Sequence, residues 1–267
     1  MTTLAIQYEP GNAASEALAQ RLNLPLIRSI GQHQGLLLSY QHNRLTLSQP
    51  MARDAGSVSV DFCDSRLTFR LAQALSREAV VKAVGGCVPK TLLTESAPRL
   101  IDATAGLGQD AFILAAAGWE VTMLEQSPVI HALLEDGLQR ARIAASAPQH
   151  QRFLQKILPR LHLLAPGDSL AVLPTLPRAS VIYLDPMFPA REKAARVKKN
   201  RFLLQYLHGD QGAGDGLLPL ALSLAAKVVV KRPRLARPLE ELQPAASLTG
   251  KTSRFDIYVG HPDQSTA

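Results

Sequence analysis

Cysteine is scarce in this sequence, which has Cys63 and Cys87 as its two thiols among 267 residues. They lie far apart in the chain and no histidines cluster beside them. Their spacing therefore matches neither a zinc site nor a disulfide framework. We expect two reduced thiols and no bound metal.

Long apolar runs are also missing. No segment offers the roughly 20 uninterrupted apolar residues that a membrane-spanning helix requires. The start of the chain, Met-Thr-Thr-Leu-Ala-Ile, lacks the basic residues of a targeting segment. These absences favour a cytoplasmic protein without membrane contact.

The composition is that of a folded, basic protein. With 46% hydrophobic residues, a chain of this length can bury one large core, or a main core and a small appended domain. Lys and Arg outnumber Asp and Glu by 29 to 22, which gives a net charge of +7. An excess of positive charge suits a polyanionic partner such as nucleic acid.

A change in the sequence pattern near residue 90 predicts two domains. Gly85-Gly86 is followed by Pro89 and Pro98, which are residues that commonly separate structural units. We predict a small α+β unit at 1–88 and an α/β domain at 89–267. Within the first unit we predict helices at 13–22 and 67–84, short antiparallel strands at 36–38 and 45–47, and alternation typical of a strand at 58–62.

In the second domain, short apolar strands alternate with helical segments. The predicted strands are 99–102, 120–124, 161–164, 181–184, 227–230 and 255–259. The predicted helices are 110–117, 128–144 and 217–226. Such alternation indicates crossover connections around a mostly parallel, doubly wound sheet. Ligands of these sheets bind beyond the carboxyl ends of the strands, at the switch point of the strand order.

A glycine-rich turn follows the first of these strands, in the sequence Asp-Ala-Thr-Ala-Gly-Leu-Gly-Gln-Asp from Asp102. Gly106 and Gly108 permit positive φ and a close approach of a ligand to the backbone. The next strand ends in Glu125, where an acid can accept hydrogen bonds from both ribose hydroxyls of a nucleotide. The alternatives are a plain glycine turn and a surface carboxylate.

The third strand leads into Asp168 and Ser169. This polar pair can meet the edge of an adenine ring, or it can cap the N-terminus of a helix. The two interpretations are compatible, and the sequence leaves both open.

Two features decide between possible cofactors. The glycine turn also fits a variant of the dinucleotide fingerprint, but Asp102 would repel a pyrophosphate and suits a cationic methionyl group. The strand at 181–184 runs into Asp-Pro-Met-Phe-Pro, which resembles the Asp/Asn-Pro-Pro-aromatic loop of amino-methyltransferases. In such a loop, Asp185 would accept hydrogen bonds from an exocyclic amine while Phe188 stacks on the base. The alternative is a rigid strand exit with a core phenylalanine.

With these motifs, the chain resembles the small-subunit rRNA (guanine-N2) methyltransferase J family over about residues 58 to 260. The shared motifs are Asp-Ala-Thr-Ala-Gly-Leu-Gly, Asp-Pro-Met-Phe-Pro, Val-Val-Val-Lys-Arg-Pro and Arg-Phe-Asp-Ile-Tyr. The resemblance implies a Rossmann-like class I S-adenosylmethionine methyltransferase with an antiparallel C-terminal strand. It also implies methylation of the N2 amine of a 16S rRNA guanosine. The implied cofactor contacts are Gln109, Asp110, Glu125, Gln126, Asp168, Ser169 and Asp185.

The chain departs from the family between residues 64 and 78. Relatives are usually rich in glycine and arginine there, whereas this sequence has Leu-Thr-Phe-Arg-Leu-Ala-Gln-Ala at 67–74. Relatives also commonly carry arginine at the positions of Gln109 and Gln126.

Basic residues follow two of the predicted strands and form a candidate RNA-binding surface. Since both groups leave the carboxyl ends of parallel strands, we expect them beside the catalytic loop, where they would contact phosphates flanking a flipped base. A solvated surface is the alternative. The predicted RNA contacts are Arg191, Lys193, Lys198, Lys199, Lys231 and Arg232.

Two other functions remain as alternatives. One is an NAD(P)-dependent oxidoreductase, and the other is a non-catalytic RNA-binding module on a methyltransferase fold. For the leading hypothesis, the expected partner is 16S rRNA or the small ribosomal subunit, and we expect a monomer.

Overall fold

The computed structural model describes residues 3–29, 31, 33–51, 56–92, 97–146, 152–186, 203, 207 and 215–261. These residues belong to two units. The first holds the described residues of Met1–Asp61, Ser127–Arg140 and Met187–Gln211, and the second holds those of Phe62–Gln126, Ala141–Pro186 and Gly212–Ala267.

This division differs from the predicted boundary at residue 88 because residues 62–88 pack within the second unit. The Phe62 ring stacks on Phe112, with centroids 4.7 Å apart. The Val88 amide donates to the Ala117 carbonyl at 2.9 Å. Side-chain packing of this kind cannot be read from the composition. The glycines and prolines near residue 88 are visible in the sequence, and they placed the predicted boundary there.

The first unit contains a five-stranded sheet, the helix that follows its first strand, and residues 127–140, nearly all of which belong to a longer helix described below. The elements are β1 (Leu4–Gln7), α1 (Ala13–Leu22), β2 (Leu26–Ile27), β3 (Leu36–Gln41), β4 (Arg44–Ser48) and β5 (Ser57–Val58). The order is β2-β1-β3-β4-β5, with β1 parallel to β2 and β3 and the remaining pairs antiparallel. The predicted helix 13–22 and the predicted hairpin are confirmed. The strand predicted at 58–62 is shorter in the structure.

The β3–β4 hairpin turns on His42 and Asn43, whose φ angles are 52° and 59°. Positive φ at both central residues matches the right-handed twist of the paired strands. Asn is among the residues that tolerate this conformation best, which explains the tight turn without glycine.

The prediction of a single helix at 67–84 is wrong. The segment forms α2 (Ser65–Ala72), a 3-10 turn at Leu75–Arg77 and α3 (Ala79–Val84). The Arg70 guanidinium donates to both oxygens of Glu78 at 3.2 and 2.9 Å. Residues eight apart in a continuous helix are separated by about 12 Å, so this bidentate contact requires the break.

The second unit is built on a seven-stranded sheet in the order β11-β12-β10-β9-β6-β7-β8. Its strands are β6 (Arg99–Asp102), β7 (Glu120–Met123), β8 (Leu161–Leu163), β9 (Val181–Leu184), β10 (Lys227–Pro233), β11 (Ala246–Thr249) and β12 (Ser253–Val259). The five strands from β10 to β8 are parallel, and β12 runs antiparallel to both β10 and β11. The predicted doubly wound, mostly parallel sheet with an antiparallel C-terminal strand is confirmed.

Helices connect the strands of this sheet. They are α4 (Gln109–Ala116), α5 (Pro128–Ala145), α6 (Arg152–Ile157), α7 (Ser169–Val172) and α8 (Leu217–Leu224). All four residues of β9 are buried, as expected when both faces of a parallel sheet are covered. None of the helices in the described ranges is long and apolar enough to cross a membrane.

The strand order identifies the ligand-binding edge. From β6 the chain moves to β7, and from β9 it moves to β10, so the connections leave the adjacent strands β6 and β9 in opposite directions. The crevice beyond their carboxyl ends is the switch point at which doubly wound sheets bind ligands. The residues that end β6 and β9 therefore define the candidate site.

Candidate active site

The turns after β6 and β9 are bonded to each other. The Ala103 amide donates to the Tyr183 carbonyl at 3.0 Å, and the Asp185 amide donates to the Thr104 hydroxyl at 2.6 Å. Both turns carry residues that the sequence selected, Asp102 in the first and Asp185 in the second. The structure therefore brings together the predicted cofactor turn and the start of the predicted catalytic loop, Asp185, whose continuation from residue 187 lies outside the described residues.

The glycine turn adopts the predicted conformation. Gly106 and Gly108 have φ angles of 54° and 71°, and Gly108 caps the N-terminus of α4. The nearest heavy atom to a Cβ added at Gly106 would be the Thr104 carbonyl oxygen at 3.9 Å. The turn therefore borders open space, as a ligand that approaches the backbone requires.

Glu125 lies against this turn. Its Oε2 accepts a hydrogen bond from the Gly106 amide at 2.9 Å, and the residue is buried. The contact explains why an acid ends the second strand: it fixes the loop around the crevice. Its neighbour Gln126 is exposed, as is Gln109 at the start of α4. Contacts of these residues with a cofactor remain predictions.

Asp168 and Ser169 have intramolecular partners. Asp168 caps α7 by accepting from the Leu170 amide at 3.0 Å, which confirms the N-cap interpretation. The Ser169 hydroxyl donates to the Ala103 carbonyl at 2.6 Å and is buried. It thereby ties the segment after β8 to the glycine turn. A contact of either residue with adenine remains a prediction.

A lysine at the end of β10 joins two acids of the site. The Lys231 ammonium donates to Asp110 Oδ2 at 2.7 Å and to Asp185 Oδ2 at 2.8 Å. The Tyr183 hydroxyl donates to the same Asp110 oxygen at 2.8 Å. We call Asp110, Tyr183, Asp185 and Lys231 the charge cluster. It links α4, β9 and β10 at the carboxyl edge of the sheet.

The charge cluster shifts the ionisation of its members. Burial alone raises the pKa of Asp110, but the Lys231 ammonium and the Tyr183 hydroxyl bring that pKa below its ordinary value. Burial lowers the pKa of Lys231, and Asp110 with Asp185 more than reverse this, so its pKa is raised. Burial and the nearby Asp110 raise the pKa of Tyr183 well above its ordinary value. At neutral pH Asp110 is therefore ionised and Lys231 carries its positive charge.

Asp102 stands at the end of β6 and is only 2% exposed. Burial raises the pKa of its carboxyl well above the ordinary value, although the Thr104 amide, which donates to it at 3.2 Å, acts in the opposite direction. With the charge cluster, this gives three acids and one lysine beside the crevice. Such a donor set favours a cationic ligand and disfavours a pyrophosphate.

Sequence reasoning missed the role of Lys231 in this site. We predicted that Lys231 and Arg232 contact RNA, but the structure gives each an intramolecular partner. Arg232 is buried, and its guanidinium donates to the Arg237 carbonyl at 3.0 and 2.7 Å. The position of Lys231 at a strand end was readable from the sequence, whereas its distance to Asp110 depends on the register of three strands.

Other predicted residues lie outside the described ranges, namely Phe188, Arg191, Lys193, Lys198 and Lys199. Their roles stay predictions. Within the ranges that are described, no three His, Cys, Asp or Glu side chains lie close enough to hold a metal ion.

Comparison with known proteins gives consistent results. A family model described as "Putative SAM-dependent methyltransferase" matches residues 17–260. A "Ribosomal RNA small subunit methyltransferase J" from Thioalkalivibrio sulfidiphilus is 42% identical over 265 residues, covering 97% of this chain and 98% of its own. The protein of the same name from Pseudoalteromonas atlantica is 42% identical over 260 residues, covering 94% and 96%.

This chain belongs to the ribosomal RNA small subunit methyltransferase J family. A crystal structure of a SAM-dependent methyltransferase from Neisseria gonorrhoeae agrees, with a TM-score of 0.69, 30% identity and 99% of each chain covered. The predicted family, the Rossmann-like methyltransferase fold and S-adenosylmethionine as cofactor are confirmed. An NAD(P)-dependent oxidoreductase is not favoured.

Membership of the methyltransferase J family also explains the acidic donor set. S-adenosylmethionine carries a sulfonium and an ammonium group, and both are cations. Asp110 and Asp185 place two acids around Lys231 at the switch point, and the buried carboxyl of Asp102, whose pKa is raised by burial, would ionise beside a cation. The residues present therefore fit this cofactor.

Proposed function

We propose that this protein transfers a methyl group from S-adenosylmethionine to the N2 amine of a guanosine in 16S rRNA. The observation that carries the proposal is the position of Asp185. Its backbone is bonded to the glycine turn through Thr104, and its carboxylate is held by Lys231. The relatives are named as methyltransferases of small-subunit ribosomal RNA, which supports the choice of substrate.

The cofactor side of the site follows from the acids. S-adenosylmethionine supplies the methyl group when it is bound. In our proposal Glu125, packed against Gly106, accepts hydrogen bonds from the ribose hydroxyls. Asp102 attracts the methionyl ammonium, because a nearby cation stabilises its ionised form.

The substrate side depends on Asp185. Its side chain is 40% exposed, so an amine entering the crevice can reach it. The carboxylate accepts a hydrogen bond from the guanine amine and directs the nitrogen lone pair towards the methyl carbon. As the methyl group supplied by the bound cofactor passes to the nitrogen, the Asp185 carboxylate would receive the proton that leaves that nitrogen. The Lys231 ammonium fixes Oδ2 and so limits the orientations of the group.

Asp185→Asn tests this role. It keeps the size of the side chain and removes its charge, so methyl transfer from labelled S-adenosylmethionine to 16S rRNA should fall about 100-fold or more. Asp215→Asn is the matched control, because Asp215 is an exposed acid just before α8. Full activity of Asp185→Asn, with the control also active, would contradict the assignment.

The surroundings of the reaction are part of the proposal. An rRNA substrate, free or within the small subunit, places the protein in the cytoplasm. We propose that Arg191, Lys193, Lys198 and Lys199 contact phosphates beside the target, since they follow the catalytic loop in the sequence. A monomer is the expected form.

A further inference from the structure

One apolar side chain of the second unit is exposed without a structural reason. Leu235 is 91% exposed, more than any other large apolar side chain in the described ranges. It lies in the segment between β10 and a 3-10 turn at Leu239–Glu241. We call residues 233–237 the rim loop. Exposure of this degree contributes nothing to the core, so packing does not explain a leucine at this position.

The rim loop is held firmly on both sides of Leu235. The Ala236 amide donates to the Pro233 carbonyl at 3.0 Å, and the Arg234 amide donates to the Thr252 carbonyl at 3.2 Å. These bonds close a turn and attach it to the chain just before β12. The tip is therefore a fixed feature of the surface.

Two arginines, the buried Arg232 and the partly buried Arg254, hold the loop through its carbonyl groups. Arg232 donates twice to the Arg237 carbonyl, at 3.0 and 2.7 Å. Arg254 donates to the Arg234 carbonyl at 3.2 Å and holds both oxygens of the fully buried Asp256 at 2.7 and 2.9 Å. A loop braced in this way keeps an apolar side chain projecting into solvent.

The rim loop lies at the edge of the sheet that carries the site. β10 is parallel to β9, and Lys231 near its carboxyl end contacts Asp185 at 2.8 Å. Leu235 follows Lys231 by four residues, so their Cα atoms are at most about 14 Å apart. One segment of substrate can contact both.

The charge beside Leu235 identifies its partner. Arg234 and Arg237 flank it and are exposed. Arg237 pairs with Glu241 at 3.2 Å, but both side chains are about 80% exposed, and such a pair exchanges readily for a phosphate. Proteins that insert an apolar side chain between stacked bases commonly place cationic side chains beside it to contact the backbone phosphates. Leu235 between Arg234 and Arg237 has this arrangement.

We propose that Leu235 is a wedge that fills the gap in an RNA stack when the target guanosine is turned out towards Asp185. The inference rests on the proposed function. An enzyme that modifies a base must remove it from its stack, and the unstacking energy must be compensated. The wedge would act on stacked RNA and have no effect on an unstacked strand.

The test compares two substrates for methyl transfer by the full-length protein. One is folded 16S rRNA, and the other is a short single-stranded RNA containing the guanosine that the wild type methylates. For Leu235→Ala we expect kcat on folded rRNA to fall about tenfold with little change in KM, and less than a twofold change on the short strand. Leu235→Met, which keeps an apolar side chain of similar size, should retain most of the activity.

Val259→Ala is the matched control. Val259 is 63% exposed on β12 and pairs with Lys227, at the opposite end of β10 from the site. Its activity should equal that of the wild type. Thermal unfolding of each variant should be unchanged, since neither side chain is buried.

Three results would overturn the wedge. The first is a Leu235→Ala variant within twofold of the wild type on folded rRNA. The second is an equal loss on both substrates. The third, seen when the assay is repeated on assembled small subunits, is a loss on the subunits but not on folded rRNA, which would show that Leu235 faces a protein. A wild type that methylates neither RNA would overturn the proposed function, and the wedge with it.

Discussion

Replacement of Lys231 by methionine should destabilise the protein in a pH-dependent way. Methionine keeps the length of the side chain and removes the charge that lies 2.7 Å from Asp110 and 2.8 Å from Asp185. Two carboxylates would then face each other without a cation. Asp110 is affected most, because its side chain is 17% exposed, whereas that of Asp185 is 40% exposed and can be rehydrated.

The magnitude follows from the contacts that are lost. A hydrogen bond to a charged group contributes about 1.5–3 kcal/mol, and removing one partner of a buried pair costs about 3–5 kcal/mol. Since the charge cluster is only partly buried and Asp185 contributes little, we expect a loss of about 2–3 kcal/mol in the free energy of unfolding at pH 7.

The sign of the pH dependence comes from Asp110. In the wild type its pKa is lowered, so its contribution to stability is present above the unfolded value of about 4 and is lost as pH falls through the folded pKa. In the variant the largest opposing influence, Lys231, is gone, and burial acts on Asp110 against only the Tyr183 hydroxyl and the Arg70 charge, so its pKa rises. The stability difference between the proteins should therefore be largest near pH 7 and shrink towards pH 4.

The assay is urea denaturation of wild type, Lys231→Met and Lys227→Met between pH 7 and 4. Lys227 is a lysine at the other end of β10, and its ammonium donates to the Val84 carbonyl at 3.4 Å. This control should lose little stability and show no pH dependence of the loss. Equal stability of Lys231→Met and wild type at pH 7, or a loss that does not change with pH, would show that Lys231 does not stabilise the ionised form of Asp110.

Three further predictions concern the same crevice and its substrate. Asp102→Asn should raise the free energy of unfolding at neutral pH, because the raised pKa of Asp102 means that its ionised form destabilises the fold above that pKa. The same variant should bind S-adenosylhomocysteine more weakly in calorimetry. An unchanged affinity would show that Asp102 does not contact the cofactor. Gly106→Ala should lower the free energy of unfolding by about 1–2 kcal/mol, because a residue with a Cβ is strained at a φ of 54°. Thermal unfolding that matches the wild type would contradict this. Replacing Lys198 and Lys199 with Glu should weaken rRNA binding, most strongly at low salt. An affinity equal to that of the wild type would show that these lysines do not contact RNA.

Strand and helix positions of the α/β part were predictable because periodicity and glycine turns are local signals. β6 and β9 begin and end where the sequence places them, since β6 is a short segment that ends in Asp102 and β9 is an apolar run followed directly by Asp185. The parallel strands β1 and β2 were not predicted. β1 is short, and its pairing with Leu36 and its neighbours joins distant parts of the chain.

The individual residues of the site could be predicted from the sequence, whereas most of the hydrogen bonds and ion pairs between them could not. Asp102, Gly106, Glu125 and Asp185 were selected because each follows a strand, and the carboxyl ends of parallel strands meet at one edge. The bond from Gly106 to Glu125 and the bridge formed by Lys231 depend on distances across the sheet. From the sequence, a basic residue after a strand is equally consistent with a phosphate contact and with an ion pair inside the protein. The partners of Lys231 could therefore not be predicted.

The proposed reaction is methylation of the N2 amine of guanosine in 16S rRNA. The most direct test is to incubate the purified protein with S-adenosylmethionine and unmodified 16S rRNA, free or in small subunits, and to identify the methylated nucleoside by mass spectrometry after digestion. We predict N2-methylguanosine with the wild type and its loss with Asp185→Asn. A methyl group on another base or another atom of guanine, or no transfer to either substrate, would contradict the claim.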